Sequence, residues 1–203
     1  MAPVEKGLPW GEAGALPPDA LTVRSDAEAR AALEAARRAH RPFPVLGLLG
    51  GDLCHNLGGS GDAERLRSPE AITFRIDVGE ALLDGRLHFF VAHLVARTPL
   101  WGRTFAAMNV QRRGDWILAP RAHPGDGLLD VYEAALPLFA RLAVRSRARH
   151  GTHLPHPGIK ERRVPAVQVS LTRPLRVELD GVAVGRARAI SARLVPEALM
   201  VVV

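Results

Sequence analysis

Arginine dominates one stretch of this 203-residue chain. Between Arg141 and Arg163 stand Arg141, Arg145, Arg147, Arg149, Lys160, Arg162 and Arg163 against the single acid Glu161, so this segment carries the whole net charge of +6. Arg141, Arg145 and Arg149 recur every four residues, which places them on one helical face. Such a patch attracts phosphate, an anionic membrane surface or nucleic acid, and its plainer reading is a solvated helix face. Aromatic residues make up only 5% of the chain. None interleaves with the patch, which argues against a stacking platform for single-stranded nucleic acid.

Other residue types invite other chemistry. His150, His153 and His156 are zinc-ligand types at a spacing of three, but Gly151, Pro155 and Pro157 break any helix that would align them, so they read as a loop. Gly50-Gly51-Asp52 follows the apolar run Val45–Leu49 and imitates a phosphate loop. No Gly-Lys-Ser/Thr follows, however, and Asp52 suits a helix cap. Cys54 is the only cysteine, which precludes an internal disulfide and fits a reducing cytoplasm. Its neighbour His55 is not oriented by sequence to activate it. Asp126-Gly127 and Asp180-Gly181 are turn dipeptides, the second with hairpin character.

The elements that position these residues fall into two parts. Residues 1–20 are rich in Gly, Pro and Ala and read as an extended arm. In residues 21–72, Leu21–Val23 is a short strand, Ser25-Asp26-Ala27-Glu28 opens a helix with a capping box, and Val45–Leu49 is a buried strand. This β-α-β unit is too small to stand alone. From 73 to 203 strand patterns dominate: Phe74–Gly79, Leu87–Val95, Phe105–Val110, Trp116–Leu118, Leu129–Ala134, Val167–Leu171, Leu175–Leu179, Ala189–Val195 and Leu199–Val203. One helix, Pro137–Arg149, interrupts them. The expected class is α+β, an antiparallel β-sandwich-like domain with a β-α-β unit at its N-terminal edge. A composition of 47% hydrophobic and 24% charged residues is ordinary for a globular protein. Neither Phe89–Val91 nor Ala198–Val203 approaches the ~20 residues of a membrane span.

Several stretches, in order, carry a likeness. Ala119-Pro120-Arg121-Ala122-His123-Pro124-Gly125-Asp126-Gly127-Leu128-Leu129-Asp130, Val177-Glu178-Leu179-Asp180-Gly181 and Arg193-Leu194-Val195-Pro196-Glu197-Ala198-Leu199 resemble three segments of the bacterial diacylglycerol/lipid kinase family. Gly51–Gly58 resembles that family's helix after an Asn-Asp pair, and Ile76-Asp77-Val78-Gly79 its opening strand of the β-rich domain. The resemblance implies that Asp180 stands where the family has the general base that deprotonates the lipid hydroxyl. It implies a structural Mg²⁺ at Asp126, with backbone carbonyls of His123 and Leu128. Val182 replaces the family's Glu after the second turn.

Departures from the pattern point away from catalysis. The family's Gly-Gly-Asp-Gly-Thr loop aligns with Arg24-Ser25-Asp26-Ala27-Glu28. Glycines there let backbone N–H groups approach phosphate, whereas Ala27 and Glu28 remove that freedom and add negative charge. The second nucleotide loop is shortened to Gly50-Gly51-Asp52, and the family's elements before the glycine loop have no counterpart in the residues ahead of Leu21. The expectation is a catalytically degenerate lipid kinase-like protein, without ATP, that binds a lipid or an anionic headgroup. It is cytoplasmic or peripheral to an anionic membrane, with Arg141, Arg145, Arg149, Arg162 and Arg163 as anion ligands. Two rivals remain: an active ATP-dependent lipid kinase, which works with ATP in an unusual way or takes its nucleotide domain from a separate chain, and a nucleic-acid-binding or scaffold protein using residues 141–163; a homo-oligomer is also open.

Overall fold

The computed structural model describes residues 10–203. Residues 1–9 of the expected arm lie outside the described residues. Strand β1 is Glu12–Ala13, β2 Leu21–Val23, helix α1 Asp26–Arg38 and β3 Leu46–Leu48. Two short helices follow, α2 Asp52–Asn56 and α3 Ala63–Leu66. Then come β4 Ile72–Leu83, β5 Arg86–Phe90, β6 His93–Arg97, β7 Arg103–Met108, β8 Arg112–Arg113, β9 Trp116–Ile117 and β10 Leu129–Ala135. Helix α4 Leu138–Ala148 precedes β11 Ile159–Val164, β12 Ala166–Leu179 and β13 Val182–Val202. The class is α+β, as the sequence pattern predicts.

Helix α1 forms where its caps say it should. Ser25 Oγ accepts from Glu28 N at 3.2 Å, and Glu28 Oε2 accepts from Arg24 N at 2.7 Å. Asp26 and Glu28 in the first turn and Arg37 and Arg38 in the last suit the helix dipole. Ala29 and Leu33 are its buried apolar side, set against Leu46, Leu48, Ile76 and Phe89.

One mostly antiparallel sheet runs β1-β4-β13-β12-β6-β7-β10-β11 and folds over a core of Phe90, Leu94, Phe105, Leu129, Leu179 and Ile190. The β-α-β unit is not a separate layer. β2 and β3 pair in parallel, and β3 pairs in parallel with the end of β13, Leu46 opposite Val201. The same Val201 pairs on its other side with Phe74 of β4.

Four expectations change. The predicted strand Leu87–Val95 is two strands, because the Val91 and Ala92 N–H groups turn out of the ladder to the Asp180 carboxylate. The two predicted strands 167–171 and 175–179 are one, with Pro174 accommodated at a register shift between Ser170 and Leu175. The basic stretch Lys160–Arg163 belongs to strand β11, an edge strand whose charged side chains face outward. Finally, the arm is anchored within the described residues, since Glu12 pairs with Thr73 and Ala13 with Ile72.

Candidate functional site

The seam between the β-α-β unit and the β-rich region brings together two buried acids, Asp26 and Asp180, and the half-buried Asp52. Asp180 occupies the β12–β13 turn with φ +51°, followed by Gly181 at +79°. Both angles suit the tight hairpin that Asp-Gly predicts. Its side chain does not point to solvent. The residue is 6% exposed, and its carboxylate accepts from Val91 N at 3.1 Å, Ala92 N at 2.9 Å and His93 N at 3.1 Å. Burial pushes its carboxyl above the ordinary range, against the pull of His93 and these N–H groups.

From there a relay of contacts crosses to the β-α-β unit. His93, itself buried, places Nε2 3.1 Å from Asp52 Oδ2. Asp52 Oδ1 accepts from Gly114 N at 2.8 Å in the β8–β9 turn. Burial would raise Asp52, but His93, the Gly114 N–H and Arg113 outweigh it and hold the carboxyl below its usual value. Asp52 is the first residue of α2 and caps nothing. Asp26 does the capping from another element, accepting from Asp52 N at 2.7 Å and Leu53 N at 3.1 Å. Burial, with the nearby Asp180 charge, pushes Asp26 up to about 7.

The sign of that shift gives a prediction. The unfolded chain loses the Asp26 proton near pH 4, whereas the folded chain keeps it to about 7. This group therefore lowers stability as pH rises through that window. We expect Asp26→Asn to remove its share of the decline, so that parent and variant unfolding midpoints converge or cross between pH 4 and 7.5. A constant offset across that range in urea titrations would refute it.

Glu178, two residues before Asp180, is the second buried anchor. Its carboxylate takes Arg97 Nη2 at 2.8 Å, Arg113 Nη2 at 2.6 Å and Arg176 Nε at 3.3 Å. Arg97 and Arg113 both lie over the Trp101 ring, at 4.8 and 5.1 Å. Asp26, His93, Arg113 and Glu178 were not legible as site residues. A lone histidine inside Phe89–Val95 was the one available sign.

Over residues 72–203 the chain matches the model of the YegS C-terminal NAD kinase beta sandwich-like domain. It belongs to this domain family. Among solved structures, three proteins from Bacillus anthracis str. Sterne share its fold, at TM-scores of 0.61, 0.58 and 0.56 and identities of 12, 13 and 11%. Each alignment covers 78% of this chain, and 69, 69 and 66% of the respective neighbour. All three bear the name diacylglycerol kinase, the first two provisionally. No curated protein matches the chain in sequence.

Within this YegS-type sandwich, the sequence-derived metal site lies apart from the seam. Asp126 Oδ1 accepts from Leu128 N at 2.9 Å, and its Oδ2 is held by the Arg163 guanidinium. The His123 carbonyl faces Asp126 N at 3.4 Å, while its ring packs on Trp10 at 4.4 Å. The Arg163 guanidinium thus supplies a positive charge beside Asp126. Gly50 and Gly51 close on the protein itself, and a Cβ on Gly51 would lie 2.4 Å from Asp26 Oδ1.

The basic residues are largely engaged. Arg141 donates to the Leu100 carbonyl at 2.7 Å, Arg145 lies over Trp116, Arg162 pairs with Glu133, and Arg163 with Asp126 and Asp130. Arg149 makes no ion pair among the described residues. The histidines do not assemble: His153 is buried, His156 Nδ1 accepts from Gly158 N, and no cluster of three metal-ligating side chains occurs among the described residues.

A cavity of about 460 Å³ opens between β7, β10 and β12. Phe105, Val169, Leu171 and Leu175 give it an apolar wall, and Arg103, Lys160 and Glu133 are its charged lining residues. Asp180 does not line it. Register explains the separation: Leu179 pairs with Leu94 at one end of β6, and the cavity lies toward the opposite end of β12.

Proposed function

We propose that the protein is a lipid kinase-like binding protein without phosphotransfer activity, taking an amphiphile with an anionic headgroup in the cavity between β7, β10 and β12. The observation that carries the reading is the fate of two helix N-termini. At α1 the Glu28 N–H is taken by Ser25 and the Arg24 N–H by Glu28, and at α2 the Asp52 and Leu53 N–H groups are taken by Asp26. Backbone donors of this kind are what a phosphate chain would use. Here protein carboxylates and a hydroxyl hold them, and each carboxylate repels a phosphate.

Asp180 fits the same reading. A general base must reach the proton that it removes. This carboxylate is buried and saturated by three N–H groups, so it organises backbone rather than meeting a hydroxyl. The cavity supplies what a lipid needs instead, an apolar wall and cationic residues in its lining. No helix among the described residues is long and apolar enough to cross a membrane.

Calorimetry with Mg-ATP tests the first half. We expect no heat of binding, and a dissociation constant below about 100 μM, or about −5.5 kcal/mol, would overturn the reading. Native mass spectrometry with added phosphatidic acid tests the second half. A bound lipid is expected for the parent and its loss for Leu171→Glu, which puts a carboxylate on the cavity wall against an anionic lipid. Equal occupancy in both would place the ligand elsewhere.

A further inference from the structure

Helix α4 is built the wrong way round for a helix that packs on a core. Ala148 is its only buried residue. Leu138, Phe139 and Leu142 are 50, 85 and 58% exposed. Leu100, 74% exposed, joins them from the neighbouring turn, held there because Arg141 donates to its carbonyl. Single exposed leucines are commonplace, whereas four large apolar side chains from two adjoining elements form a patch that needs an occupant.

Two observations indicate which occupant. Leu100 and Trp101 sit at φ +54° and +58°, a left-handed conformation that bulky residues avoid and that surroundings must impose. The imposed turn aims a leucine at water. The second is charge. α4 contains no acid, and Arg145, Arg147 and Arg149, all exposed, follow the apolar residues within two turns. A second copy of the chain would bring like charges together. An anionic lipid surface takes both parts, side chains into the headgroup boundary and guanidiniums at the phosphates.

We propose that α4 and the Leu100 turn form a membrane-docking face, inserting Leu100, Leu138, Phe139 and Leu142 into an anionic bilayer with Arg145 and Arg149, which share that side of the helix, at phosphate level. An 11-residue helix lying flat presents about 16 Å to the surface. This face is separate from the cavity and does not depend on its occupant.

Cosedimentation of the full chain with vesicles tests it, using phosphatidylcholine mixed with phosphatidylserine against phosphatidylcholine alone. The parent should bind the mixed vesicles and release with added salt. Phe139→Ser/Leu142→Ser should weaken binding roughly 100-fold, and Arg149→Gln roughly fivefold, with circular dichroism and thermal midpoint unchanged because all three side chains are exposed. A nitroxide on Phe139→Cys, introduced selectively because Cys54 is buried, should report immersion below the phosphates. Absence of parental binding to the mixed vesicles, variants that bind like the parent, or a label that stays in water would each overturn the proposal. So would a dimer that dissociates in Phe139→Ser/Leu142→Ser while vesicles stay unbound. Phosphatidic acid uptake by the cavity should persist in these variants, which separates the two readings.

Discussion

Asp180→Ala is expected to lower the unfolding free energy by about 4 kcal/mol. The side chain satisfies three buried donors, Val91, Ala92 and His93 N–H, and each orphaned buried donor costs roughly 1–3 kcal/mol. Alanine at the φ of +51° adds about 1 kcal/mol. Relief from burying a carboxylate offsets part of the sum. Asparagine tolerates the left-handed backbone and keeps the oxygen that accepts from Ala92 and His93, so Asp180→Asn should cost about 2 kcal/mol or less. Urea unfolding of the three proteins decides it. An alanine variant as stable as the parent would mean that the break between β5 and β6 holds itself.

The second large effect lies two residues earlier. Glu178→Ala should destabilise by about 3 kcal/mol, the usual consequence of removing one partner from a buried ion pair. Glu178 is 3% exposed and meets three arginines, two of which also cover Trp101. Without it Arg97 and Arg113 stay together with no counter-charge, and the β8–β9 turn that donates Gly114 N to Asp52 loosens. Near-ultraviolet circular dichroism should therefore lose tryptophan signal along with the drop in urea midpoint. Glu178→Gln, which keeps the shape but not the charge, should fall between the two. If Glu178→Ala shifts the midpoint by no more than an exposed-pair variant such as Glu133→Ala, about 0–1 kcal/mol, the arginine cluster is not what holds this corner.

Local rules made much of the fold readable. Ser25 and Glu28 announce a helix within four residues, and Asp84-Gly85 and Asp180-Gly181 announce turns within two. The Asp-Gly turn was legible at Asp180, but the destination of its carboxylate was not. The partners lie 87 to 89 residues away, and nothing in Phe89–Val95 marks where the strand must break. Strand β11 was hidden for the opposite reason. An edge strand with water on its outer side needs no alternation, so Lys160-Glu161-Arg162-Arg163 showed only as part of the basic patch. Asp26 was read as part of a cap for its own helix, and its larger role, capping α2 across the seam, depends on tertiary contact alone. The arginines were countable from sequence, but their ring and carboxylate partners were not.

The shared end of β13 affects how the molecule comes together in time. The β-α-β unit has α1 early in the chain with local caps, so it looks poised to form first. Yet β3 is completed only by Val201 and Val202, which also complete β4. Its short parallel pair must wait for contacts of long sequence separation, the slowest kind to form. The early segment is therefore a passenger of the late one, and we expect the two regions to melt as a single cooperative unit rather than shedding the small one first.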